Sequence, residues 1–240
     1  MTRCETRTAL VTDVTQGAGS AIARLLEKKG FRVFAPERLS NPTQSPNPAH
    51  QEEAKGNTKH RQILNDLDNA QSISAACRKI ENLEGQLDLI VALPPSRDGV
   101  EADLTVECLR AKLEAGVMRT AMIIDTFLPL LKVSNQGRIV VISSADASMN
   151  DGLRAGMVHG AAFRVSMAAV NALTQIYARQ LAPHGIKVNA VAPDVGVLGT
   201  RVDESERVYD DVARLVVQLG TTGMDGPIGG FFTTSGTMAW

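Results

Sequence analysis

The residues best suited to chemistry lie in the middle of the chain. Ser143 and Ser144 follow the run Arg138-Ile-Val-Val-Ile142, whose β-branched character predicts a strand buried on both faces. Open α/β sheets keep their chemistry at the carboxyl ends of such strands. A neutral serine can position a carbonyl or enol oxygen but is a poor base, so proton transfer beside it needs a second group. His159, Phe163 and Met167 are spaced i, i+4, i+8 and share one face if the helix predicted over 161–182 starts early enough. His159 then stands at a pocket mouth with a side chain that titrates near neutral pH; as a loop residue beside Gly160 it is only a surface group. Asp146, two residues past Ser144, is the reserve proton carrier, and Asp194 points toward the same crevice by position. Asp151 and Arg154, in the same loop as Asp146, read as solvated charges.

The elements that must hold these residues are legible in order. Thr8–Thr12, Phe31–Phe34, Ile63-Leu64, Leu87–Ala92, Arg138–Ile142 and Ile186–Val191 read as strands. Helical spacing marks Ile22–Lys29, a face of Ile73, Ala76, Cys77, Ile80 and Leu83 stopped by Gly85, a long segment Leu104–Leu131 with a break near Gly116, Ala161–Ala182 stopped by Pro183-His184-Gly185, and Glu204–Leu219. This alternation predicts an α/β fold, a doubly wound, Rossmann-like parallel sheet of about seven strands in three layers. Residues 39–60 are rich in Pro, Asn, Gln and charge without periodicity and read as a mobile surface loop, so residues 1–240 form one domain.

Composition bounds the rest. At 240 residues and 44% hydrophobic, one domain buries roughly three-quarters of its unfolded surface. The formal net charge of -1 offers no field for nucleic acid. No run approaches the ~20 apolar residues of a membrane span, and residues 1–7 lack a signal-peptide core, which predicts a soluble, cytoplasmic protein. Three cysteines, Cys4, Cys77 and Cys108, match neither a disulfide framework nor a metal site.

Gly137-Arg-Ile-Val-Val-Ile-Ser-Ser144, Ser166-Met-Ala-Ala-Val-Asn-Ala-Leu-Thr174, Gly185-Ile-Lys-Val-Asn-Ala-Val-Ala-Pro193, Thr8-Ala-Leu-Val-Thr12 and Gly17-Ala-Gly19 together resemble the short-chain dehydrogenase/reductase family over nearly the whole chain. The resemblance implies a phosphate loop at Thr12–Gly19, with Asp13 in place of its first glycine; Gly17 and Gly19 serve a pyrophosphate or merely allow tight packing. It implies an adenine contact for Asp66, and Arg38 could greet a 2′-phosphate, so a bound dinucleotide would be NADP. The family's active-site Asn, Tyr and Lys fall on Gly116, Phe163 and Met167, and Ser144 alone remains. Ala92-Leu93-Pro94-Pro95 replaces the turn that lines the nicotinamide side, so Leu93, Phe163, Met167 and Asp194 become candidate substrate contacts.

These replacements predict no cofactor, or NADP if any, and a cofactor-independent, non-redox enzyme performing dehydration, isomerisation, addition or cyclisation on a largely apolar small molecule. Its catalytic residues would be Ser144, His159 and Asp146, within an apolar wall that strengthens hydrogen bonds. The alternatives are an inactive partner subunit of an active family member and an atypical NADP(H)-dependent oxidoreductase. The family also implies a homodimer or homotetramer through the helices at 104–131 and 161–182.

Overall fold

The computed structural model describes residues 6–14, 17–36, 61–64, 66–94, 104–150, 160–193 and 202–240. Short, mostly apolar runs become the central strands: β1 (Thr8–Val11), β4 (Leu89–Ala92) and β5 (Arg138–Ile142) are buried along their whole length, the polar Thr8 and Arg138 that open β1 and β5 included. With β2 (Arg32–Pro36), β3 (Arg61–Leu64), β6 (Lys187–Val191), β7 (Phe231–Thr233) and β8 (Gly236–Met238) they form one sheet in the order β3-β2-β1-β4-β5-β6-β7-β8. Neighbours from β3 through β7 run parallel, and β8 returns antiparallel to β7.

The strand period of two divides the core into layers. Leu10, Ile139 and Val141 face α2 (Ala70–Glu84), α4 (Arg119–Val133) and α5 (Ala161–Leu181), while Ala9, Val11, Val140 and Ile142 face α1 (Gly17–Lys28) and α6 (Val202–Thr221). Asn69 caps α2 by accepting from the N–H groups of Gln71 and Ser72, and Gly85 ends it with a φ of 73°. Among the described residues no helix is long and apolar enough to cross a membrane.

The sheet differs from the sequence expectation at its last edge. Residues 226–230, rich in glycine with one proline, are irregular, with Gly229 at a φ of 67°. Pairing starts only at Phe231, and the chain then turns back through β8. This adds an eighth strand. The long helix predicted over 104–131 is α3 (Val106–Leu113), a π-helical turn (Glu114–Met118) and α4, so the expected break near Gly116 is one wide turn, a device common beside functional sites.

Candidate functional site

The strand order reverses between β1 and β4, and doubly wound folds place ligands at the carboxyl ends of the strands at such a reversal. Thr12 ties these two strand ends together: its Oγ1 accepts from the Leu93 N–H at 2.8 Å and donates to the Leu93 carbonyl at 3.4 Å. A Cβ on Gly19 would overlap the Asp13 carbonyl oxygen and approach Leu93 Cδ2 at 3.2 Å. Gly17 has a φ of 58°, and the Tyr209 ring stands 3.2 Å from where its Cβ would lie. Both glycines are therefore required by packing.

The same geometry suits an anion. α1 begins at Gly17 with no acidic residue in its first turn, and helix N-termini present unpaired N–H groups. The residues present fit a dinucleotide pyrophosphate, with Gly17, Gly19 and the α1 N-terminus as its cradle. Gly19→Ala is expected to lower stability by about 1–3 kcal/mol, the usual cost of overpacking, and to weaken nucleotide binding together with it; thermal melts with and without NADPH check both.

Leu93 packs in the α1/α6 layer, away from Phe163 and Met167, which pack in the α4/α5 layer. Asp66 is exposed, and its Oδ1 accepts from the Asp68 N–H at 2.8 Å in a turn leading into α2. Arg38, the loop at 39–60, Asp151, Arg154, His159 and Asp194 lie outside the described residues.

Ser143 and Ser144 leave β5 side by side but are used differently. Ser143 donates its N–H to the Val191 carbonyl at 2.7 Å and its hydroxyl to Asn171 Oδ1 at 2.6 Å. Ser144 is extended, with a ψ of 140°, and caps the 3-10 turn Ala145–Ala147; its Oγ accepts from the Asp146 N–H at 3.3 Å. Acceptance leaves the hydroxyl proton for another partner. Ser144 is 5% and Asp146 7% exposed, and the Asp146 carbonyl accepts from Arg164 Nε at 3.2 Å.

Met167, only 1% exposed, is a core residue of the α4/α5 layer. Its Cε lies 3.2 Å from where a Gly116 Cβ would stand, and such an atom would overlap Ser166 Oγ. Ser166 Oγ donates to the Lys112 carbonyl and Thr120 Oγ1 to the Gly116 carbonyl, both at 2.6 Å. The π turn thus packs directly on α5, and methionine beside glycine fills this contact.

Sequence reasoning missed Asn171. It extends the spacing of Phe163 and Met167 by one more turn, which was the available signal, and its buried Nδ2 has no partner among the described residues. Tyr177 is no stand-in for a proton donor at residue 163. It lies about 21 Å farther along the helix at 1.5 Å per residue. Its hydroxyl donates to Asp125 Oδ1 at 2.7 Å, and burial, reinforced by that bond, holds its pKa well above the ordinary range. No group of three or more His, Cys, Asp or Glu suited to a metal occurs among the described residues.

The sheet order, the glycine-bearing β1–α1 turn and the serine turn after β5 define a doubly wound α/β protein of the Rossmann type. The family model for short chain dehydrogenase matches residues 7–208, and this chain belongs to that family. It is 31% identical over 199 residues, 80% of this chain and 72% of the relative, to a Streptomyces virginiae protein whose name ascribes it to the monensin polyketide synthase as a ketoacyl reductase. It is 27% identical over 198 residues, 82% of this chain and 76% of the relative, to the NADPH-dependent pterin aldehyde reductase of Arabidopsis thaliana. The NADPH-bound carbonyl reductase from chicken fatty liver shares the fold at a TM-score of 0.79 and 24% identity, covering 98% of this chain and all of that one.

These likenesses correct the functional expectation. Relatives that carry reductase names across four-fifths of the chain overturn the cofactor-independent, non-redox reading and the view that NAD(P)-linked reduction is lost. The inactive-subunit reading has no support from them. The reason is that the non-redox reading rested on single positions such as 163 and 167, whereas the family match rests on residues 7–208 as a whole.

Proposed function

We propose that this chain is an NADP(H)-dependent oxidoreductase that interconverts a carbonyl and a hydroxyl group, with its proton carried by a group other than residues 163 and 167. The observation that carries this reading is the sequence match over four-fifths of the chain to proteins named as reductases, one of them NADPH-dependent. Gly17, Gly19 and the N-terminus of α1 hold the pyrophosphate, and Arg38 receives the 2′-phosphate. When bound, the reduced nicotinamide supplies the hydride.

Ser144 donates its hydroxyl proton as a hydrogen bond to the substrate oxygen, which gains charge as the carbonyl carbon is reduced. That proton is available because the Asp146 N–H uses Ser144 Oγ as an acceptor. Phe163 and Met167 stand where the family's tyrosine and lysine would be, and neither carries a proton. His159 is the first candidate to supply it and Asp146 the reserve. The apolar side chains raise the worth of a hydrogen bond made beside them, because the local dielectric is low.

The test is a titration of the purified protein with NADPH and NADH, followed by NADPH oxidation with β-ketoacyl thioesters and aldehydes. NADPH is expected to bind at least about tenfold tighter than NADH, or ~1.4 kcal/mol. A folded protein that binds neither dinucleotide would overturn the reading.

A further inference from the structure

We propose that Ser148 and Trp240 are positioning residues, through which the β7–β8 hairpin and the residues after it clamp the turn that carries Ser144. The inference rests on the oxidoreductase reading for its kinetic consequence only. The turn is too short to hold itself in place. Its internal bonds run from the Ala147 N–H to the Ser144 carbonyl at 3.0 Å, from the Ser148 N–H to the Ala145 carbonyl at 3.2 Å, and from the Asp146 N–H to Ser144 Oγ. One 3-10 turn has poor hydrogen-bond geometry and little cooperative stability, so its position must be set by what surrounds it.

Upstream, Ser143 fixes the exit from β5 by its bond to β6. Arg164 of α5 holds the Asp146 carbonyl. On the remaining side, Ser148, itself 3% exposed, donates its hydroxyl to the Ala239 carbonyl at 2.9 Å. Ala145, the residue after Ser144, belongs to a small apolar cluster with Ala190, Ala192 and Phe231, against which Met238 and Trp240 pack. The Trp240 ring stacks on Phe231 with centroids 5.1 Å apart and planes 21° apart. Phe231 is wholly buried and in register with Ala190 of β6 and Met238 of β8.

Trp240 is thereby tied through Phe231 to β6, the strand that pairs with β5 just before Ser144. A rigid aromatic stack and one part-buried hydrogen bond, remote in sequence, fix both ends of a segment of five residues. This cluster stands apart from the two main core layers, so its loss can free the turn without opening the sheet. A displacement of about 1 Å at a reacting group can cost about 100-fold in rate. Loosening the turn is expected to cost part of that.

The experiment uses the full chain with Trp240→Ala, Trp240→Phe and Ser148→Ala, read by hydrogen–deuterium exchange and by NADPH-linked kinetics. The amides of 145–148 are expected to exchange about tenfold faster in Trp240→Ala and Ser148→Ala and to recover in Trp240→Phe, with β1 and α1 unchanged. kcat should fall about tenfold in the same two variants while KM for NADPH stays constant. Unchanged exchange at 145–148, or an equal rise throughout the sheet, overturns the clamp. If Trp240→Ala does not fold, Ser148→Ala against wild type decides it by the same exchange. Wild-type protein without NADPH-linked turnover would sink the oxidoreductase reading, and the exchange result would still decide the clamp.

Discussion

In a protein whose His159 and Asp146 have both been replaced by alanine, Phe163→Tyr combined with Met167→Lys is expected to raise NADPH-linked turnover by about 100- to 10,000-fold, the usual worth of a positioned general acid. In the family that the chain resembles, the tyrosine passes the proton and the lysine lowers its pKa, so the two act as a unit. Phe163→Tyr alone should therefore give little, because an unassisted phenol titrates near 10. Met167 is only 1% exposed and faces the π turn at Gly116. A lysine there enters the core, where burial favours its neutral form, and Met167→Lys alone should cost stability while restoring no proton donor. Initial rates and melting temperatures of both single variants and of their combination in that background check this. A well-folded quadruple variant that gains nothing over the His159→Ala, Asp146→Ala protein would mean that the proton route uses neither those residues nor this face of α5.

Ser144→Ala is expected to lower kcat by about 100- to 1,000-fold with little change in NADPH affinity, the effect typical of removing one donor to a developing oxyanion. The turn itself should survive, since only one bond to Ser144 Oγ is lost and the main-chain bonds of Ala147 and Ser148 remain. Ser143→Ala offers a contrast. Its hydroxyl is spent on Asn171 Oδ1, so its loss should leave a buried amide unsatisfied and appear as lost stability, roughly 1–3 kcal/mol. Equal loss of kcat in both variants, without loss of stability in Ser143→Ala, would remove the distinction between the two serines.

The sequence by itself determined the layers. Ile139–Ile142 and Leu89–Ala92 are apolar throughout because both faces of a central parallel strand are covered, and such runs admit few other readings. Gly85 and Gly185 marked helix ends because both adopt a left-handed backbone, with φ values of 73° and 72°. The place of Ser144 just past the end of β5 was legible from the strand pattern alone. What the sequence could not carry was contact between distant segments. It placed Leu93 with Phe163 and Met167, but the side of the sheet that Leu93 faces depends on its bond to Thr12 and on the approach of α1. The replacements at Gly116 and Met167 looked like two separate losses, yet in three dimensions one side chain fills the space beside the other. The cofactor-independent reading fails for a related reason: it rests on single positions, while membership of the family rests on residues 7–208 as a whole. Only the tertiary structure decided that Trp240 and Ala239 lie against the turn of Ser144. A hairpin's return path and a single ring stack leave no periodic trace in a sequence, because they depend on where the sheet has already carried the chain.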